Sequence, residues 1–182
     1  NSPNVSNTGF YIRKFISEAS GYTLRNYAEN WWPWFRLGEI YLNAAEAAFE
    51  LNDEPTALPY INRLRQRAGF PANSLTSLTI EKIQNERRVE LAFEDHRYFD
   101  MKRWRIADIT WNGNIDNDKA IVYGLYPYRI AVAKPGTQDQ DKYIFVKTRS
   151  ERFKVARTFQ QSNYYSFIAD DVINNNPTIV KN

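Results

Sequence analysis

Residues 34–51, WFRLGEIYLNAAEAAFEL, constrain this chain more than any other stretch. Apolar side chains recur at Phe35, Leu37, Ile40, Tyr41, Ala44, Ala45, Ala47, Ala48 and Leu51, the three-and-four spacing of a helix with one broad buried face. Pro33 fits the first turn, where a missing N–H leaves nothing unsatisfied. The alanines favour helix and leave room for a second helix to approach closely. Asn52-Asp53 stops the run, and Glu54-Pro55 opens a second helix that reaches about Ala68 and ends at Gly69 and Pro71. So short a link predicts an antiparallel hairpin. A third helix is predicted from Thr79, a good N-cap, with Ile80, Ile83, Arg87, Leu91 and Glu94 tracing its turns. It is expected to continue, with a break near His96, to about Arg105.

Past residue 107 the periodicity is lost. Residues 112–118 are turn-rich, and 121–123, 128–133 and 143–147 have the character of short strands, the last two joined by a hairpin-like segment at 135–141. Residues 174–182 read as an extended tail. At the other end, residues 1–8 read as a polar linker, 9–17 as a short strand or extended packed segment, and 21–32 as an aromatic-rich loop. The expected fold is mainly α: a helical hairpin plus a long helix over about 33–106, then an irregular α+β region with short strands over about 107–182. With 182 residues, 43% of them hydrophobic, the chain has enough material for a single domain over 1–182.

Trp34, Leu37, Gly38 and Tyr41 match the first half of the tetratricopeptide pattern, W-x2-L-G-x2-Y. The ring wedges between helices, the glycine allows close approach and the tyrosine fills a groove. Ala45 and Phe49 have the A-x3-F spacing of the second half but lie on the first helix. One hairpin of this kind is found, and stacked repeats need about three for stability.

Composition removes several functions. Lys and Arg number 24 against 21 Asp and Glu, a formal net charge of +3 that is too small to imply nucleic acid as partner. Cysteine is absent, which excludes disulfides, thiolate catalysis and cysteine metal sites. No apolar run approaches the roughly 20 residues that span a bilayer. The first residue is Asn1 and the single methionine is Met101, so the chain reads as a piece of a longer precursor with any targeting signal upstream.

Chemistry is sparse. Glu86, Glu90 and Glu94 stand at four-residue steps, with Arg87, Arg88, Arg97, Asp100, Lys102 and Arg103 nearby. Carboxylate pairs act as acid and base in glycosidases. The same spacing describes a charged helix face crossed by ion pairs, and that reading is preferred. His96, the single histidine, supplies no metal site by itself. Neither a glycine-rich phosphate loop nor a G-x-S-x-G elbow occurs. No catalytic residue, cofactor or metal is expected. Trp31, Trp32 and Trp111 lie in loops and are candidates for ligand binding. Trp34 and Trp104, at helical spacing beside apolar residues, are expected in the core.

Three segments carry a resemblance. FRLGEIYLNAAEAAFELND holds Arg36, Glu39, Leu42, Ala45, Glu46 and Ala47. ALPYINRLRQRAGFP holds Ile61, Asn62, Leu64, Arg65, Arg67, Ala68 and Gly69. IQNERRVELAFEDHRYFDMKRW holds Glu86, Arg87, Glu90, Leu91, Phe93, Glu94, Arg97, Asp100, Arg103 and Trp104. In order and spacing they resemble the C-terminal half of the SusD/RagB family of outer-membrane nutrient-binding lipoproteins, and NNNPTIVKN is similar to that family's ending, with Lys181 where glutamine is usual. The resemblance implies tetratricopeptide-like hairpins, a lipid anchor outside this chain, and a place at the outer-membrane surface of Bacteroidota beside a SusC-like TonB-dependent transporter. It implies non-catalytic binding of an oligosaccharide, or in some members a peptide, for import. It also implies that Arg36, Glu39, Glu86, Arg87, Glu90, Glu94, Arg97, Asp100 and Arg103 form a structural ion network rather than a ligand site. The alternatives are a helical-repeat docking scaffold and, much less well supported, a glycosidase fragment using Glu86 and Glu90.

Overall fold

A computed structural model describes residues 6, 10–17, 32–131, 135–150, 155–166, 168–176 and 178. The chain groups into two compact units, Arg13–Asp100 and the pair Asn1–Ile12 with Met101–Asn182.

The first unit contains the helical hairpin. Helix α1 (Leu37–Glu50) packs on α2 (Glu54–Arg67), and α3 (Ile80–Glu90) lies against α1. The hairpin turn is built from local chemistry. Asn52 takes a left-handed backbone at φ 61°, which asparagine tolerates better than most residues. The Asp53 carboxylate then accepts a bond from Thr56 N–H at 3.1 Å, capping α2. Thr79 caps α3 in the same way, accepting from Lys82 N–H. Between α2 and α3 the chain is pinned by Asn62, whose side chain bonds both the N–H and the carbonyl of Leu75 at 2.9 Å. Leu42, Ala45, Ala57, Ile61, Leu64, Leu78, Ile83 and Leu91 form the core.

The structure refines two expectations here. The apolar face expected for α1 is split: Tyr41, Ala45 and Ala48 pack on the core, and the rest of it does not. Leu42 and Ala45 face the core together with Glu39 and Glu46, whereas Leu37 (61% exposed), Ile40 (50%), Ala47, Phe35 and Leu51 face outward. Helix α1 therefore carries two stripes, and the one that packs inward combines Tyr41, Leu42, Ala45, Ala48 and Phe49 with the carboxylates of Glu39 and Glu46. The break expected near His96 in the third helix is present, a few residues earlier. Helix α3 stops at Glu90, and residues 91–95 turn with Phe93 and Asp95 at φ 65° and 61° before α4 (His96–Arg103) begins. The break precedes His96 because Glu94 is drawn inward and the end of α3 is closed by cations, as described below.

In the second unit, α5 (Ala107–Thr110) is followed by the antiparallel strands β1 (Tyr123–Arg129) and β2 (Tyr143–Arg149), a 3-10 turn at Gln161–Tyr164, and α6 (Asp170–Asn175). Tyr123 pairs with Arg149 and Arg129 with Tyr143. The segments expected as separate strands at 121–123 and 128–133 are replaced by the continuous β1. Pro127 is accommodated because a strand of a two-stranded sheet has a free edge where no N–H is required. Of residues 9–17, read as a short strand or an extended packed segment, the described residues 10–17 form no strand, and Phe10 stacks on Phe145 with ring centroids 6.0 Å apart. The tail expected to be extended, 174–182, begins with the last two residues of α6, and 177 and 179–182 lie outside the described residues. Small cores form around Met101, Ala107 and Phe159, and around Ala120, Ile121 and Ala156. No helix among the described residues is long and apolar enough to cross a membrane.

Candidate functional site

Two features of the first unit stand out: an ion-paired clamp at the start of α1, and the aromatic surface that the clamp supports. Arg36 is the N-cap residue of α1, and its backbone is extended. That conformation turns its side chain toward the end of α3. Its Nε donates to Glu94 at 2.7 Å, Nη2 to Glu94 at 2.8 Å, and Nη1 to Glu90 at 2.5 Å. Nη2 also bonds the Glu90 carbonyl at 2.6 Å. Lys14 reaches the same place, donating to the carbonyls of Glu90 (3.1 Å) and Ala92 (2.9 Å) and to the Glu94 carboxylate. Carbonyls at a helix end carry partial negative charge and lack intrahelical donors. Two cations from elsewhere in the chain satisfy them, and the helix ends there.

The electrostatics follow from this geometry. The bond from Glu94 raises the Arg36 pKa above its ordinary value against the opposing effect of burial, with Glu90 adding to the rise. Burial pushes Glu94 up, but the bonds and charges of Arg36 and Lys14 together outweigh it, so the carboxyl titrates below the ordinary glutamate value. A carboxyl held ionised in this way is unsuited to act as a general acid at neutral pH.

The other expected network residues are distributed as follows. Arg65 pairs with Glu86 at 2.9 Å, and Arg67 with Glu90 at 2.6 Å. Arg87 is buried, with Nε against both Asp100 oxygens at 2.7–2.8 Å and Nη1 on Asn43 at 2.6 Å. His96 Nε2 lies 3.7 Å from Glu39. These contacts tie α3 to both helices of the hairpin. Arg97 is half-buried on α4, and the exposed Arg103, in the other unit, lies over the Trp104 ring at 5.0 Å. Glu86, Glu90 and Glu94 were expected on one helix face, yet Glu94 sits in the turn beyond it. Among the described residues, no group of His, Asp and Glu is arranged to hold a metal ion.

The aromatic candidates separate. Trp31 lies outside the described residues. Trp32 is 46% exposed and packs on Phe15 at 5.1 Å, beside Lys14. Trp34, expected in the core, is 81% exposed, and Phe35 beside it is nearly as open. They precede α1 rather than lying on it, because Arg36 rather than Pro33 caps the helix. Periodicity assigned Trp34 to a helix face, and the late helix start removes it from that face. Trp111 is half-buried and packs on Phe159 at 6.2 Å in the second unit. Tyr164 completes that cluster: its hydroxyl donates to Asp108 at 2.6 Å and accepts from Ala107 N–H at 2.9 Å. This bond holds the Asp108 carboxyl below its ordinary pKa. Nothing in the spacing of residues 108 and 164 signalled that contact. Trp104 is half-buried.

Comparison with known proteins places this geometry. The model of the SusD family matches residues 1–182. Among curated proteins, the chain is similar to SusD-like protein P25 of Formosa agariphila, with 43% identity over 79 residues that cover 40% of this chain and 15% of the relative. SusD-like protein P2 of the same organism is 34% identical over 117 residues, 57% of this chain and 23% of the relative. The crystal structure of a SusD-like protein from Bacteroides fragilis superposes with a TM-score of 0.56 at 30% identity, covering 83% of this chain and 25% of that one. The chain thus spans a quarter or less of the length of the relatives it matches.

Proposed function

The chain belongs to the SusD family, and on that premise we propose that it is part of a non-catalytic protein of the outer-membrane surface that binds nutrient oligosaccharide and delivers it to a SusC-like TonB-dependent transporter. In this reading the full-length protein is lipid-anchored and faces the medium. The observation that carries the glycan is the exposure of Trp32, Trp34 and Phe35 on a turn fixed by the Arg36–Glu90–Glu94–Lys14 clamp. Aromatic rings offer flat apolar faces to the C–H faces of sugars, and a fixed backbone reduces the ordering cost of binding. Trp31, adjacent in sequence, is a candidate for the same surface, while Trp111 contributes its ring to packing. The carboxylates that a glycosidase would need are engaged with arginines and a lysine, which supports binding over hydrolysis.

A second reading has its own observation. The outward stripe of α1, with Leu37, Ile40, Ala47 and Leu51, suits a protein-docking scaffold. Calorimetry of the full-length protein against a panel of oligosaccharides separates the two. Trp32→Ala and Trp34→Ala are each expected to weaken sugar binding roughly three- to tenfold, the worth of one aromatic contact. Silence across the panel, with retention of the transporter, would favour the scaffold.

A further inference from the structure

The exposed edge of α2 is grooved. One cleft of about 360 Å³ is lined by Pro59, Asn62, Arg63, Gln66 and Asn73. A second, of about 220 Å³, is lined by Leu37, Gly38, Tyr41, Arg63, Leu64 and Arg67. Arg63 lines both. Neither lining includes a carboxylate, and the Glu90 carboxylate beneath Gly38 is answered by Arg36 and Arg67.

The arginines of α2 differ in what answers their charge. Arg65 is paired with Glu86 and Arg67 with Glu90. Arg63 has no carboxylate within ion-pair distance among the described residues. Its guanidinium instead lies over the Tyr41 ring at 5.4 Å, and Tyr41 is propped by Tyr60 at 5.7 Å. A cation stacked on an aromatic face is held in place while its N–H fork stays available. The groove around it is also fixed. Asn62 pins the loop at Leu75, keeping Asn73 at the rim. At the floor Gly38 is irreplaceable without movement, since a Cβ there would meet Glu90 Oε1 at 2.9 Å and the Arg36 guanidinium closer still.

We propose that this groove binds an acidic sugar unit, a carboxylate- or sulfate-bearing residue of an oligosaccharide, with Arg63 as the partner of the anion. This rests on the glycan-binding reading above and names the substrate class. A planar guanidinium matches the oxygens of a carboxylate or sulfate in a paired geometry. Gln66 and Asn73, on either side, present amides that both donate to and accept from ring hydroxyls. Pro59 supplies apolar surface in the larger cleft, and Leu37 and Tyr41 supply it in the smaller one on the other side of Arg63. The larger cleft falls within the roughly 300–1,000 Å³ typical of small-molecule sites. An acidic peptide would meet the same cation, but a glycan makes better use of the flanking amides and the tyrosine.

The test uses calorimetry of the full-length protein with oligogalacturonate, a sulfated galactan oligosaccharide and neutral galacto-oligosaccharide, on wild type, Arg63→Ala and Arg63→Lys, with helicity checked by circular dichroism. One acidic probe is expected to bind more tightly than the neutral one, and to lose about ten- to a hundredfold in Arg63→Ala. Arg63→Lys should recover part of this and neutral binding should change little. Which acidic probe responds identifies carboxylate or sulfate. Equal binding of acidic and neutral sugars, unchanged by Arg63→Ala, would overturn the inference and leave glycan binding at the tryptophans standing. Arg63-dependent binding of poly-glutamate without binding of either acidic sugar would overturn it in favour of a peptide. Silence toward every sugar would overturn both readings.

Discussion

At the scale of single residues, the clamp around Glu94 shows what spacing can and cannot reveal. Glu86, Glu90 and Glu94 were visible as a four-residue ladder, and arginines nearby made ion pairing the expected use. What the ladder did not reveal is that Glu94 leaves the helix to meet Arg36 and Lys14, residues 58 and 80 positions away in sequence. The consequence is measurable. A carboxyl whose folded pKa lies below its unfolded value, near 4.5, stabilises the fold fully above that value, and the contribution is lost as pH falls through the folded pKa. Glu94→Gln should lower stability at pH 7 by roughly 1–3 kcal/mol, less than a fully buried pair because Arg36 and Lys14 are partly solvated. It should also flatten the further loss as pH falls below the ordinary glutamate pKa. Urea midpoints across that range check it; an acid limb identical to wild type would mean that the clamp contributes nothing to acid unfolding.

At the scale of elements, the hairpin was legible and its orientation was not. Caps and stops were local: Asp53, Thr79 and Gly69 each act within a few residues of where they stand, and their signals held. The buried face of α1 is a tertiary property. Leu37, Ile40 and Ala47 turn outward while Glu39 and Glu46 are buried beside Leu42 and Ala45, and periodicity counts apolar residues without knowing which charges have partners. A pair of substitutions reads the orientation directly. Leu42→Ala removes a fully buried side chain and should cost about 2–5 kcal/mol. Ile40→Ala, two residues away on the open stripe, should stay within about 0.5 kcal/mol of wild type. Denaturant titration of the two variants decides between the faces, since the apolar pattern alone ranks Ile40 as core. The early end of α3 has the same origin, because the cations that close it come from outside its own segment.

For the whole molecule, family membership was the most legible property because the motif residues are those whose partners are fixed by the scaffold: Arg36 with Glu90 and Glu94, Arg65 with Glu86, Arg87 with Asp100. Binding surfaces follow other constraints, and exposure was the missing variable. Trp34 looked like core, and nothing in the spacing singled out Arg63. The net charge of +3 adds a constraint on any acidic ligand. So small an excess, spread over 182 residues, gives this stretch no long-range field of its own, so the attraction these residues exert on an anion is expected to be local to one or two cations. Salt distinguishes the cases. Between about 0.01 M and 1 M the screening length falls from about 30 Å to about 3 Å. Neutral oligosaccharide affinity should then change by less than about twofold, since ring stacking carries no charge. Acidic oligosaccharide should weaken over the same range by no more than Arg63→Ala weakens it at low salt, and in Arg63→Ala the remaining salt dependence should nearly vanish. Association rates that fall steeply with salt even in Arg63→Ala would instead mean that charge elsewhere on the surface steers the ligand. In that case the single uncommitted arginine of α2 would not be the determinant.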